Sequence, residues 1–389
     1  MSSFAYTILQ VVPRLGSGGA ERTTVEMAAA IVEAGGRAIV ASHGGRLEAD
    51  ILRAGGEFVA APVHRKDPAS ILSNGRMLAR IIRDHKVDLI HARSRGPAWS
   101  AAAAARRTGT PLVTTFHGGH SAANVFKRWY NSSLVKGDAV IANSRFTGER
   151  IAAEYGVLPE RLKIIPRGAD LSVFNPLAVS NDRVKHVSAG WNEGITDNTP
   201  RFLLAARLTP WKGQALAIDA AAILKSRAEA GKSPLLRLVL CGGAQDEPRF
   251  EADLRAQIEK RGVRDMVQLV GECADMPAAI AWSDAVIAPS LRAEPFGRVA
   301  VEAGAMGKPV IAAAHGGYLE TIVDEETGIL IGPGSASALA DAMERLAGDR
   351  ALRNRLGDAA SSRVRAVFST QAMCDSTLGV YKELLGCGA

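Results

Sequence analysis

The chain has 389 residues, 47% of them apolar and 22% charged, enough to fill roughly two domain cores and too rich in Leu, Ile and Val for a disordered polymer. No apolar run reaches the ~18 residues of a membrane span, because Ala101–Ala105 stops at Arg106 and Arg107; the four cysteines (Cys241, Cys273, Cys374 and Cys387) form no C-x-x-C pair, which argues against a disulfide framework and a thiolate metal site. The net charge of +7 is uneven: residues 1–176 hold 23 Lys and Arg against 14 Asp and Glu, an excess of +9, while the remainder comes to −2, so the two halves are expected to meet different partners.

Tyr6–Val12 reads as a buried parallel strand, followed by the glycine-rich turn Gly16-Ser17-Gly18-Gly19, a helix over Arg22–Ala34 and a second strand over Arg37–Ser42. Between Arg53 and Arg107 lie eleven basic residues among apolar helix positions; they suit either an anionic partner or plain solvated faces. The alternation resumes with strand Asp88–Ala92, helix Trp99–Thr108, strand Pro111–Thr115, strand Ala139–Ala142, helix Ser144–Tyr155 with its cap at Asn143-Ser144, and a short strand Lys163–Ile165 ended by Pro166. From Asp170 to Pro200 the periodicity fails and turn residues accumulate, which places the connection between domains there.

A second series follows. Strands are expected at Arg201–Ala206, Arg237–Cys241, Val267–Val270, Asp284–Ala288, Pro309–Ala313 and Gly328–Ile331. Helices are expected at Gly213–Ala230, Arg249–Arg261, Met276–Ser283, Arg298–Gly304, Tyr318–Val323, Ala336–Ala347 and Ala351–Val367, with a terminal one over Gln371–Leu385. Strands alternating with helices imply parallel sheets covered on both faces. Two such series imply an α/β protein of two doubly wound, Rossmann-like domains facing a cleft, over 1–176 and 177–367. Ligands in such sheets sit at the carboxyl ends of the strands, where the glycine-rich and polar segments of both halves fall.

The chemistry-bearing residues lie in those segments. The first loop fails the dinucleotide fingerprint G-x-G-x-x-G, since position 21 is Glu and the second strand ends without an acidic residue. Gly18 and Gly19 still suit an anion at a helix N-terminus, or simply permit a tight turn. No Walker motif occurs. Arg207 and Lys212 follow the strand RFLLAA directly in RLTPWKG; a forked guanidinium and a point charge there suit a diphosphate, the alternative being surface cations. In EPFGRVAVE, Glu294 is placed in a loop and Glu302 about two turns into a helix starting near Phe296, so that two carboxylates accept from different hydroxyls of one extended ligand; the alternative is a helix-end charge and a solvated face. Only 5% of residues are aromatic, and no RNA-recognition pattern is visible.

Taken together, these segments resemble the family four group of retaining glycosyltransferases with the GT-B fold. The likeness covers almost the whole chain and rests on Glu294-x₇-Glu302 in EPFGRVAVEAGAMGKPVIA, GSGGAE (16–21), HGG (117–119), RLTPWKG (207–213) and HGGYLETI (315–322), in order. HARSRGPAWSA (91–101) and PRGADLSVFNP (166–176) look more like lipopolysaccharide-core and other cell-envelope members. The resemblance implies roles at matched positions. Arg207 and Lys212 grip the diphosphate of a UDP- or GDP-sugar, Glu302 binds the ribose, Glu294 contacts the donor sugar, and the backbone of Phe296 and Gly297 assists. Gly18 and Gly19 close on the phosphates, His117 lies under the sugar near the anomeric carbon, and Gly271–Asp275 faces the base. Arg167 stands where members often carry Asn.

The implied reaction is sugar transfer with retention, to a hydroxyl of a lipid-linked or lipopolysaccharide-core glycan. The matched residue beneath the sugar is His117 and not a carboxylate, so front-face attack is preferred over double displacement. No D-x-D triplet occurs, so no metal cofactor is expected. The resemblance also implies that 1–176 is an acceptor-binding domain, onto which the terminal helix 368–389 crosses back at the hinge (the alternative being a plain terminal helix), that 177–367 is a donor-binding domain, and that closure of the two completes the site. Lys127, Arg128, Trp129 and Tyr130 combine cations with aromatics and suit an acceptor or an anionic inner membrane leaflet, or a packed helix edge. The first residues lack a cationic leader, since Ile8–Val12 stops at Pro13 and Arg14; this gives the expectation of a cytoplasmic, bacterial-type enzyme, peripheral on the membrane, without nucleic acid as a partner. The rival readings are an epimerase, hydrolase or phosphorylase on the same scaffold, the last requiring a pyridoxal lysine, and a non-catalytic sugar-nucleotide binder.

Overall fold

The computed structural model describes residues 4–16, 18–118, 124–244 and 248–386, so Ser17 of the first loop, Gly119 of the HGG segment and Cys387 lie outside the described residues. The chain divides into two compact units, one of Met1–Pro166 with Thr370–Ala389 and one of Arg167–Ser369.

The first unit runs β1 (Thr7–Val11), α1 (Gly19–Glu33), β2 (Arg37–Ser42), α2 (Glu48–Arg53), β3 (Glu57–Ala60), α3 (Pro68–Asp84), β4 (Leu89–Ala92), α4 (Arg95–Thr108), β5 (Leu112–Phe116), α5 (Val125–Asn131), β6 (Ala139–Ala142), α6 (Arg145–Tyr155) and β7 (Leu162–Ile164). Its seven strands are parallel, in the order β3-β2-β1-β4-β5-β6-β7. Successive residues of β1 feed opposite cores, as a two-residue period requires: Leu9 and Val11 pack with Ile90 and Ala101 on one face, Ile8 with Met27 and Ile31 on the other. Capping sets the helix ends. Asp67 accepts from Ser70 N at 2.8 Å and precedes Pro68, and Ser144 accepts from Thr147 N at 3.0 Å. Gly109 and Gly156 take the left-handed conformation that ends α4 and α6.

The second unit runs α7 (Asn181–Val187), β8 (Arg201–Ala205), α8 (Gln214–Glu229), β9 (Arg237–Cys241), α9 (Pro248–Arg261), β10 (Val267–Gly271), α10 (Met276–Trp282), β11 (Ala285–Ala288), α11 (Arg298–Ala305), β12 (Val310–Ala313), α12 (Tyr318–Thr321), β13 (Gly328–Ile331), α13 (Ala336–Gly348) and α14 (Arg350–Val367). Its six strands are again parallel, in the order β10-β9-β8-β11-β12-β13. Phe202 and Leu204 face one core and Leu203 the other. The final helix, α15 (Thr370–Leu384), belongs to the first unit, where Met373, Cys374, Leu378 and Tyr381 join the core of Ile8 and Met27. A buried polar chain pins it there: the Tyr381 hydroxyl lies 2.6 Å from His91 Nδ1, His91 Nε2 lies 2.6 Å from Thr115 Oγ1, and Arg93 Nε donates to Gln10 Oε1 at 3.2 Å.

Several expectations are corrected. The stretch 170–200 is not merely a connection: it contains α7, which is tied to the cap of α10 by Arg183 donating twice to Asp275 at 2.8 Å, and Trp191 meets Trp282 edge-on at 5.2 Å. Helix α4 begins at Arg95, not Trp99, and α1 at Gly19, not Arg22. The elements α2, β3, α3 and α5 are additions to the reading from sequence. Helix α11 starts at Arg298, so Glu302 stands one turn into it, not two. Among the described residues, no helix is long and apolar enough to cross a membrane.

Candidate active site

A doubly wound sheet has a crevice where its strand order reverses, outside the carboxyl ends of the two strands concerned. In the second unit those strands are β8 and β11. The loop after β8 carries Arg207 and Lys212, and the loop after β11 carries Glu294. Sequence positions about 80 residues apart thus meet at one point.

The two loops are stitched together by backbone. Leu291 N donates to the Trp211 carbonyl at 2.7 Å. Gly213 has a left-handed φ of +83°, and a Cβ there would stand 2.1 Å from the Pro289 carbonyl oxygen, so only glycine permits this approach. The result is an ion pair between Lys212 Nζ and Glu294 Oε1, with side chains only 18% and 9% exposed. The same carboxylate oxygen accepts the Ser290 hydroxyl at 3.1 Å, and His315 Nε2 donates to the Ser290 carbonyl at 2.8 Å. Glu294 is fixed by its backbone as well: its carbonyl accepts from Gly317 N at 2.7 Å. The Lys212 ammonium also lies 4.4 Å from the centroid of the Trp211 ring.

Arg207 differs from Lys212. Its side chain is exposed and makes no ion pair among the described residues, while Gln214 Nε2 holds its carbonyl at 2.9 Å. A cation in a fixed loop with no carboxylate partner is available to an anionic ligand. Gly297, at φ +86°, turns the chain into α11; a Cβ there would stand 2.5 Å from the Tyr318 ring. The Phe296 side chain is buried edge-on against Phe368 at 5.9 Å, which leaves its backbone as the part available to a ligand. The N–H groups of the first turn of α11 have no acceptors within the helix.

Glu302 is largely buried, its side chain 15% exposed, and accepts from Arg298 at 2.7 Å. Burial pushes its carboxyl above the usual range, with Arg298 and Arg167 opposing. Arg167 therefore acts electrostatically on this carboxylate. The Tyr318 hydroxyl is raised well above its ordinary value by burial and by the Glu294 charge. Gly271 ends β10 at φ +75° and its carbonyl accepts from Gly242 N at 2.7 Å. In the segment that follows, the Cys273 thiol shares a hydrogen bond with Cys241 and is brought down to about 7, and Asp275 is committed to capping α10 and to Arg183.

In the first unit the expected residues lie on different loops. Gly18 caps α1 and Gly19 begins it, after β1. His117 follows β5, half-buried, and its carbonyl accepts from Asn143 Nδ2 at 3.2 Å. Lys127, Arg128, Trp129 and Tyr130 lie on α5. There Val125, Phe126 and Trp129 are 82%, 83% and 61% exposed, and Trp129 leans on Trp99 at 4.8 Å. Tyr130 is turned inward, with the Arg95 guanidinium over its ring at 5.5 Å.

Ser290, His315, Tyr318 and Gln214 were not singled out from sequence as site residues. Only the spacing of Arg298 and Glu302, four apart on a helix, carries a local signal; the other contacts arise from loops that meet only in the fold.

Residues 190–363 match the family described as Glycosyl transferases group 1, and residues 17–173 match Glycosyltransferase Family 4. A D-inositol 3-phosphate glycosyltransferase of Jonesia denitrificans is 30% identical over 302 residues, 72% of this chain and 68% of the relative. Among solved structures, a glycosyltransferase from Rickettsia africae is 32% identical with a TM-score of 0.87, covering 98% of this chain and 99% of that one. The Anabaena protein HepE, solved in complex with UDP and glucose, is 25% identical with a TM-score of 0.78, covering 96% of this chain and 99% of that one. The chain belongs to the family four, group 1 glycosyltransferases and has their GT-B fold.

Proposed function

We propose that this glycosyltransferase moves a sugar from a UDP- or GDP-sugar, with retention at the anomeric carbon, to a hydroxyl of a lipid-linked or phosphorylated glycan such as a lipopolysaccharide core. The observation that carries the donor half is the pairing of Lys212 with Glu294 beside the unpaired Arg207 at the β8–β11 switch point. As the glycosidic bond breaks, negative charge gathers on the departing diphosphate. Arg207 and Lys212 stabilise it from a fixed geometry, so little reorganisation accompanies the step. Glu302 accepts from the ribose hydroxyls and Glu294 from the sugar, with Ser290 and Lys212 orienting Glu294. The backbone at Phe296, Gly297 and Gly271 lines the nucleotide. In the first unit we assign Gly18 and Gly19 to the donor phosphates and His117 to the transferred sugar near its anomeric carbon.

The acceptor half rests on the +9 charge of residues 1–176 and on α5. At 100° per residue, Val125, Trp129 and Phe126 share one exposed face, flanked by Lys127 on one side and Arg128 on the other. That arrangement suits the interface of an anionic bilayer, with apolar rings in the headgroup layer and cations at its rim. The Jonesia denitrificans relative, named for an inositol phosphate, is a precedent for a phosphorylated acceptor.

The test is turnover of UDP- and GDP-sugars with lipid-glycan acceptors, in excess chelator. Transfer with retained anomeric configuration, undiminished by chelator, is the expected result. Donor epimerised without acceptor, or activity restored only by magnesium or manganese, contradicts the reading. Binding to anionic vesicles that weakens with salt and with F126S/W129S is expected on the acceptor side; equal binding to neutral vesicles contradicts that part.

A further inference from the structure

The carboxyl edge of the first sheet holds a second cationic centre that the donor chemistry does not use. Strands β1, β2 and β3 are neighbours, and the loops that leave them carry Arg14, His43 and the pair His64-Arg65. The turns are fixed by backbone: His43 N donates to the Pro13 carbonyl at 3.2 Å, Leu15 N to the Gly44 carbonyl at 3.0 Å, and Arg65 N to the Pro62 carbonyl at 3.2 Å. Gly45, at φ +148°, lies so close to the β1 loop that a Cβ would stand 2.4 Å from the Leu15 carbonyl oxygen. These constraints bring the imidazoles of His43 and His64 to a centroid distance of 3.9 Å, tilted by 43°.

Two imidazoles in contact thus lie on loops that also carry the guanidinium groups of Arg14 and Arg65. Burial, then His43, Arg14 and Arg65, all act to keep His64 neutral, and no carboxylate opposes them. His64 Nδ1 is shielded from solvent and has no hydrogen-bond partner. Neither Arg14 nor Arg65 forms an ion pair within 4.0 Å among the described residues. The nearby carboxylates are committed elsewhere: Glu48 accepts from Gly45 N at 2.6 Å, and Asp67 caps α3 through Ser70 N, although it feels the Arg65 charge. The cluster thus lacks the anion that would satisfy it.

We infer that Arg14, His43, His64 and Arg65 form a binding site for a phosphate monoester, the phosphate of the acceptor. The inference rests on the glycosyltransferase reading for the word acceptor, but the site's chemistry stands without it. A phosphate brings acceptor oxygens for both imidazoles and for the two guanidiniums, and each hydrogen bond is charge-assisted. Its arrival favours the protonated imidazole, so binding is accompanied by proton uptake at His64. The same phosphate chemistry is offered by a soluble sugar phosphate or by a lipid headgroup.

The test uses the full chain. Glucose 6-phosphate and glucose are titrated calorimetrically into wild type, H64A, R14A and K212A, with UDP titrated in parallel as the measure of the donor site. Wild type is expected to bind glucose 6-phosphate but not glucose, with a rise in the His64 titration midpoint followed by NMR. H64A and R14A are expected to weaken that binding about tenfold or more while leaving UDP affinity unchanged, and K212A to leave it intact. Because these side chains lie in surface loops, H64Q and R14K serve where an alanine variant is poorly folded. Phosphatidate vesicles form a second arm: with H64A weakening the binding of both ligands, tighter wild-type binding of the vesicles assigns the site to a lipid headgroup, and tighter binding of the soluble ester assigns it to a sugar phosphate. Phosphate binding abolished by K212A and untouched by H64A, or equal binding of glucose and glucose 6-phosphate, overturns the inference. Failure of UDP to bind would instead count against the donor reading.

Discussion

Lys212 is the residue whose replacement separates structure from chemistry most cleanly. Its ammonium and the Glu294 carboxylate are 18% and 9% exposed, so water screens the pair little. K212A leaves that carboxylate with the Ser290 hydroxyl at 3.1 Å as its side-chain donor. Removing one partner of a buried ion pair costs about 3–5 kcal/mol, and for a unit of this size each kcal/mol moves Tm by about 2–4 °C. A drop of roughly 6–20 °C in the transition of the second unit is therefore expected. E294Q keeps the shape and leaves Lys212, the more exposed partner, room to reach solvent, so its cost is smaller, about 1–3 kcal/mol. In the double variant K212A/E294Q the two losses do not add, and thermal unfolding of all four proteins gives the coupling. The chemistry is read separately, well below every transition, as kcat/KM for donor turnover. There K212A is expected to lose about 10²–10³-fold, the size of one lost contact to developing anionic charge. Additivity of the single variants within ~0.5 kcal/mol would refute the coupled pair. A destabilised K212A with wild-type turnover would show that Lys212 only braces the loop.

Two further outcomes follow from buried groups. Burial and the neighbouring Arg93 hold His91 well below its ordinary value of 6.5. The unfolded chain then binds a proton that the folded one does not, so stability is present above about 6.5 and falls as pH drops, by up to about 1.4 kcal/mol per pH unit. Wild type is expected to lose Tm more steeply than H91Q between pH 7 and 5, and parallel curves would contradict this. Among the thiols of the described residues, the hydrogen bond that Cys273 shares with Cys241 brings Cys273 down to about 7 and, with burial, raises Cys241, while burial pushes Cys374 up to about 12. Mass spectrometry after brief iodoacetamide treatment at pH 7 should find Cys273 modified first; earlier labelling of Cys374 would contradict it.

Much of the architecture was legible because parallel strands buried on both faces read as short apolar runs, such as RFLLA and AVIA. Helix α3 carries Asn74-Gly75 at its middle, a pair common in turns. Its glycine serves packing instead: a Cβ on Gly75 would stand 3.0 Å from the Cβ of Ala103 on α4. Helices α5 and α7 have seven residues each, too few to display a period. Glu294, Glu302, Arg207 and Lys212 were singled out as candidates through spacing and family likeness. That Lys212 pairs with Glu294 was not legible, since 82 residues separate them. Nor was the support given by Ser290 and His315, which depends on where the β11 and β12 loops meet. Arg167 was visible as an oddity, but its action on Glu302 needed the fold.

The donor half of the proposed function requires a nucleotide diphosphate to bind at the β8–β11 switch point of the second unit. Calorimetric titration compares UDP and GDP binding to wild type and to the quadruple variant R207A/K212M/E294Q/E302Q. The nucleotide that wild type prefers is expected to lose at least about 100-fold in affinity while the variant remains folded by circular dichroism. Unchanged affinity in the folded variant would place the nucleotide elsewhere.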